Sequence, residues 1–157
     1  FLPLRPGIKF QCILMMFSTL GLVWPAARRE MLLRSLHQWL AEDGFLLFHV
    51  HNRHYLEPRA ATFVADLWQN LREWLKGEAA GDRIMTKYRG VLDLYLHCFD
   101  RGEIETLLRR SGYKAVEIRP LNDRRDGPYQ GPDAARFANG FLVAAQAEGR
   151  SRQVWPS

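Results

Sequence analysis

Residues Phe45 to Val50 read FLLFHV, five of the six apolar or aromatic, and the run follows Gly44. A short, nearly continuous apolar run bounded by a glycine is the pattern of a strand buried on both faces, the usual state of a parallel strand in an α/β sheet. The chain then turns polar at His51-Asn52-Arg53-His54. In open α/β sheets, ligands sit beyond the carboxyl ends of the strands. This one stretch therefore predicts the middle of the core and the end of the molecule at which a site forms.

The flanking sequence supplies the elements such a strand needs. Phe10 to Phe17 (FQCILMMF) reads as a second buried strand, with Ser18-Thr19-Leu20-Gly21 as its exit loop. Pro25 suits the first turn of a helix. Leu32, Leu33, Leu36, Trp39 and Leu40 recur at helical spacing, so Ala26 to Ala41 is expected as an amphipathic helix. Arg28, Arg29, Arg34 and Gln38 form its polar face, and Gly44 is expected as its C-terminal glycine. Strand, helix and strand in this order make one βαβ unit with a parallel pair. Cys12 to Trp24, followed by Pro25-Ala26-Ala27, also has the outline of an export signal. Burial of Ile13 to Phe17 in a sheet would exclude that alternative.

Further on, Ala60 to Lys76 carries a broad apolar stripe closed by Gly77 and reads as a second helix; Glu78 to Arg83 reads as a polar loop. Ile84 to Phe99 has strand character. There Val91, Asp93, Tyr95 and His97 alternate with Leu92, Leu94, Leu96 and Cys98, and the first set is expected towards a cleft or solvent. Asp100 to Glu103 resembles a capping box that opens a helix ending near Ser111-Gly112. Tyr113 to Arg119 reads as a strand with Val116 and Ile118 on one face. Pro120 to Asn139 reads as a long loop with one helical turn near Ala134 to Phe137, and Gly140 to Ala147 as the last strand.

The 157 residues suffice for one domain with a true core. Residues 1–148 are taken as that domain, with 54–99 as a substrate-facing insertion and 149–157 as a flexible tail. A net charge of +5 favours anionic partners, nucleic acid among them, without identifying one. Cys12 and Cys98 both lie in apolar runs and are expected as buried thiols of a reducing, cytoplasmic compartment. No apolar run is long enough to span a bilayer, so no membrane is expected as a partner. The chain begins with Phe1, as if in the middle of something longer.

The sequence contains no GxGxxG, P-loop, HExxH or CxxC motif. His49 and His51 share one strand face, but no paired cysteine or acidic ligand stands near them, and no metal is expected. His51, at the strand end, is a candidate to face cofactor or substrate. His49, deeper on that face, reads as a core histidine, and the helical His37 as solvated. His97 is either an active-site histidine suited to proton handling near neutrality or a structural partner of the following cap. The arginine pairs Arg28/Arg29, Arg109/Arg110 and Arg124/Arg125 read as solvated faces.

In order and spacing, several strings resemble the C-terminal half of class I S-adenosylmethionine-dependent methyltransferases. Leu2-Pro3-Leu4 with Phe10 to Leu14 resembles the entry to the family's fourth strand. Arg28 to Gly44 resembles the following helix and turn, and Phe45 to Val50 the fifth strand. Tyr95 to Phe99, Glu103 to Leu108 and Ser111-Gly112-Tyr113 are similar to the segment that leads into the sixth strand, Val116 to Arg119. Phe141 to Ala145 would be the seventh, antiparallel to its neighbours. Gln11 stands where the family has Asp, and Glu42-Asp43-Gly44 where it has Pro-Gly-Gly.

The resemblance implies a partial Rossmann-like α/β sheet, S-adenosylmethionine as cofactor and a methyl acceptor of unknown class. It places Phe17, Ser18, Thr19 and Gly21 towards the cofactor, and Asn52, Arg53 and Tyr95 towards the substrate. His51 and His97 are the candidates to accept the nucleophile's proton. The family's first strand, glycine-rich loop and ribose-binding acid have no counterpart in these residues. The alternatives are a methyltransferase relic and a basic, non-catalytic module that binds nucleic acid. A strand at Phe10 to Phe17 would then stand at a sheet edge and invite self-association.

Overall fold

The structure, a computed structural model, describes residues 7–55, 81–85, 94–124 and 127–148. Among the described residues, strand β1 (Phe10–Met15), a short 3-10 turn (Thr19–Leu22), helix α1 (Ala26–Trp39), strand β2 (Leu40–His51) and strand β3 (Asp82–Met85) come first. Strand β4 (Leu94–His97), helix α2 (Arg101–Arg110), strand β5 (Tyr113–Leu121), helix α3 (Ala134–Phe137) and strand β6 (Gly140–Ala147) follow. The expected helix at Ala60 to Lys76 and the expected tail at 149–157 lie outside the described residues.

One sheet has the order β1-β2-β6-β5. β1 and β2 are parallel, as the βαβ reading requires, and β6 runs antiparallel to both β2 and β5. Phe10 to Met15 is thus a paired strand of the sheet, but not the buried strand expected: only Met15 is buried and Ile13 half-buried, because β1 stands at the sheet edge among the described residues. Leu46, Phe48 and Val50 of β2 pack in one buried cluster with Val143 and Ala145 of β6 and Ile118 of β5. Leu33 and Leu36 of α1, Ile104 and Leu108 of α2, and the rings of Phe99 and Tyr113 join the same cluster. Each large side chain so buried contributes about 1.5–3 kcal/mol. On the other face of β2 the burial is uneven: His49 is buried, whereas Phe45 is exposed.

Several expectations change. Gly44 does not end α1, which stops at Trp39; it lies inside β2. There the β1–β2 register jumps from Phe10↔Leu40 to Cys12↔Phe45, so Ala41 to Gly44 bulge out of the ladder. A Cβ on Gly44 would stand 2.9 Å from the Phe10 carbonyl oxygen, and this close approach is what requires glycine. The single strand expected over Ile84 to Phe99 is two strands, since β3 and β4 pair antiparallel as a separate ribbon. Asp82, placed in a polar loop by the sequence reading, begins β3 and pairs with His97. A register shift between Ala115 and Glu117 turns Val116 outward, away from Ile118.

Three side chains also depart from expectation. Cys12 is exposed, because it lies on the outer face of an edge strand; Cys98 is buried. Arg29 is buried rather than solvated. His37 is half-buried and packs edge-on to the Tyr113 ring at 5.2 Å. Other expectations hold. β6 spans Gly140–Ala147, α3 is the helical turn foreseen in the long loop, and Gly112, at φ 82°, follows α2 in the left-handed region. Among the described residues, no helix is long and apolar enough to cross a membrane.

Candidate active site

The carboxyl ends of β1 and β2 lie side by side, and the loop leaving β1 folds over them. Phe17 and Ser18 both take left-handed backbone angles, φ 57° and 58°. The Thr19 hydroxyl donates to the Met16 carbonyl at 2.6 Å and closes the turn. Ser18 is buried, and its Oγ accepts the His51 N–H at 3.3 Å, which ties the loop to the end of β2. The Phe17 ring is left 86% exposed. Gly21 is pressed onto β4: a Cβ there would sit 2.5 Å from the His97 carbonyl oxygen.

The end of β2 is held from the other side. The Phe99 N–H donates to the His51 carbonyl at 2.8 Å, and the Arg53 N–H to the Phe99 carbonyl at 2.9 Å. His51 is half-buried, with its ring edge-on to His49 at 5.2 Å. Asn52 is buried. Its Nδ2 donates to the Ala138 carbonyl at 2.8 Å and its Oδ1 accepts the His54 N–H at 3.0 Å. That side chain ties β2 to the segment before β6, and Asn52 also borders a small cavity of about 110 Å³ with His54, Asp100 and Phe141.

Tyr95, His97 and Arg53 come together in one polar chain. The Tyr95 hydroxyl accepts from Arg29 Nη1 at 3.1 Å and donates to Asp82 Oδ1 at 2.7 Å. His97 Nδ1 faces the same Asp82 oxygen at 2.6 Å, and its Nε2 faces Glu103 Oε1 at 2.6 Å. Arg53 Nη2 donates to Glu103 Oε2 at 3.4 Å and to Asp100 Oδ2. The imidazole has no exposed surface. Burial, and then the hydrogen bond to Asp82, raise the Tyr95 phenol above its ordinary value, with Arg29 partly opposing.

This constellation was only half legible. Asp100 caps α2 as foreseen, accepting the Glu103 N–H at 2.7 Å, but the Glu103 carboxylate turns to His97 and Arg53 instead of back along the helix. Asp82, Arg29 and Glu103 were not recognised as site members. Their meeting depends on the β3–β4 pairing and on the inward turn of Arg29, which no local spacing reveals. Beside them, between the first turn of α1 and the length of α2, lies a cavity of about 490 Å³ bordered by Arg29, Arg53, Glu103 and Arg110.

A parallel β1–α1–β2 unit, with one antiparallel strand inserted between β2 and β5, is the arrangement of the class I S-adenosylmethionine-dependent methyltransferase fold, as the sequence resemblance implies. No family model matches the sequence, and no curated protein does. Solved structures do match. An S-adenosylmethionine-dependent methyltransferase from Methanosarcina mazei is 14% identical with a TM-score of 0.63, over 92% of this chain and 63% of that one. Another, from Clostridium acetobutylicum, is 10% identical with a TM-score of 0.58, over 94% and 62%. A third, from Bacteroides fragilis, in complex with S-adenosyl-L-homocysteine, is 15% identical with a TM-score of 0.52, over 92% and 50%. At these identities the likeness is one of fold, and the chain spans less than two thirds of the length of the structures it matches.

Proposed function

We propose that this chain takes part in S-adenosylmethionine-dependent methyl transfer to an acceptor whose identity stays open, with part of the cofactor pocket supplied by groups outside these residues. The reading is carried by the left-handed Phe17–Ser18 turn at the carboxyl ends of two parallel strands. There an exposed aromatic ring stands over a loop anchored by Ser18 to His51. Such a ring and turn fit one wall of a nucleoside pocket, with Phe17, Ser18 and Thr19 as its residues. Gly21 serves the same wall indirectly, by letting the loop close onto β4. When bound, the cofactor supplies a methyl group on a positively charged sulfur, open to in-line attack by a nucleophile.

The chain's own part is to orient and enclose the reacting groups and to take up a proton. Of the two histidines, His51 is the better base, because it is half-buried at the strand end, whereas His97 is enclosed between two carboxylates. His97, Arg53 and Tyr95 act as positioning residues that fix the β3–β4 ribbon against α2. The test is calorimetric titration of S-adenosylmethionine into this chain and into any N-terminally extended product of the same gene. Binding by the extended product, weakened in Phe17→Ala, supports the reading. Binding by neither form sinks it.

A further inference from the structure

Arg29 is 3% exposed, yet its contacts among the described residues are all with neutral groups. Nη1 donates to the Val23 carbonyl at 3.0 Å and to the Tyr95 hydroxyl at 3.1 Å, and the guanidinium carbon stands 5.8 Å from the Phe99 ring centroid. Asp82 is reached only through Tyr95. A buried charge held by neutral partners alone is costly unless something of opposite sign completes it. The guanidinium has five N–H donors, and those on Nε and Nη2 have no protein partner among the described residues.

Arg29 borders the cavity of about 490 Å³, a size that suits a small organic molecule. Arg110 borders it as well, and so does the first turn of α1 at Ala26 and Ala27. That helix end has no side-chain cap and no acidic residue in its first turn, so its partial positive charge adds to that of Arg29. The two carboxylates on the rim are already engaged. Glu30 pairs with Arg34 at 2.7 Å, and Glu103 lies between His97 and Arg53. Ala26, Ala27 and Leu107 in the wall, beside Gly102 and Thr106, offer apolar surface to the body of a ligand.

We propose that this cavity binds a small carboxylate with an apolar or aromatic body. Arg29 takes the carboxylate through its two unused donors, a planar fork that matches the two oxygens. The body lies against Ala26, Ala27 and Leu107. The proposal does not rest on the methyl-transfer reading, since neither cofactor nor turnover enters its test.

The probe is benzoate, with inorganic phosphate in parallel, followed by thermal denaturation and by the NMR signal of the Arg29 Nε–H. At roughly ten times its Kd, benzoate is expected to raise Tm by about 3–6 °C and to shift the Arg29 signal. Two variants separate binding from folding. Arg29→Met removes the fork and is expected to abolish the benzoate response. Ala27→Phe fills the cavity, leaves Arg29 in place and is expected to abolish the response as well. A benzoate effect that survives in both variants, or no effect on the parent chain, overturns the site. Protection by phosphate and not by benzoate overturns the assignment to a carboxylate.

Discussion

His97 has no exposed surface, and each of its ring nitrogens faces a carboxylate oxygen at 2.6 Å. Removing the ring leaves Asp82 and Glu103 facing a space they shared, each short of a donor. His97→Ala is therefore expected to destabilise the fold by about 2–4 kcal/mol, read as a lower urea midpoint with an unchanged slope. His51 is only half-buried, with its ring edge-on to His49 at 5.2 Å, so His51→Ala is expected to lower that midpoint less than His97→Ala does. Under the proposed methyl transfer, His51→Ala is expected to lower turnover by about 10²–10⁴-fold, and turnover by His51→Ala at the parent rate would remove His51 from the base role. The tyrosines add a pH dependence. Burial raises the Tyr113 phenol far above its ordinary value, and its hydroxyl donates to the Leu33 carbonyl at 3.0 Å. Below about pH 10 the phenol is protonated in both folded and unfolded chains. Above it the unfolded chain releases the proton first, so stability falls as pH rises. Urea midpoints across this range are expected to decline in the parent chain and to decline less in Tyr113→Phe. In the sequence, His51 and His97 looked like equal candidates. What separates them is enclosure by Asp82 and Glu103, which only the tertiary structure supplies.

At the level of elements, the βαβ unit, the capped helix α2 and the last strand were legible because each is written in local chemistry. An apolar run, a helical stripe and an Asp placed three residues before a Glu need no distant partner to be read. Two bulges and the ribbon were not legible. Ala41 to Gly44 and Val116 leave their ladders because neighbouring strands demand it, and alternation alone does not mark such slips. β3 begins at Asp82, where the sequence is simply polar, and its partner is β4. The loop after β1 meets this ribbon backbone to backbone at Gly21, so the glycine there answers to packing first. Gly21→Ala is expected to force the loop away from the His97 carbonyl at a cost of about 1–3 kcal/mol, measured by urea unfolding. Because the same loop carries Phe17 and Ser18, any S-adenosylmethionine affinity of the extended product is expected to fall with it. A variant with full stability and full affinity would show that the loop yields without consequence.

Across the whole molecule, one face of the sheet packs on α1 and α2, and the other grades from charged to apolar. Arg119 and Glu117 stand on that second face at β5, Ala144 and Leu47 further in, and Leu14 and Cys12 at β1. Among the described residues, β1 has a strand neighbour on one side only. Leu14 is 65% exposed there, with Phe10, Met16 and Phe17 exposed beside it. A row of unpaired backbone groups beside apolar side chains is the combination that adds strands from another chain. The isolated chain is therefore expected to self-associate through β1. Sedimentation velocity should show a mass that rises with concentration, and Leu14→Lys, a charge placed on the edge, should hold the chain at the monomer. Cys12 reports on the same event, since its thiol is exposed on β1 while that of Cys98 is buried. In dilute native protein, one equivalent of thiol reagent should react quickly and the second only on unfolding. As concentration rises, the fast reaction should slow in the parent chain and keep its rate in Leu14→Lys. A parent chain that stays monomeric with a constant Cys12 rate would mean that the edge is covered, and the self-association would have to be given up.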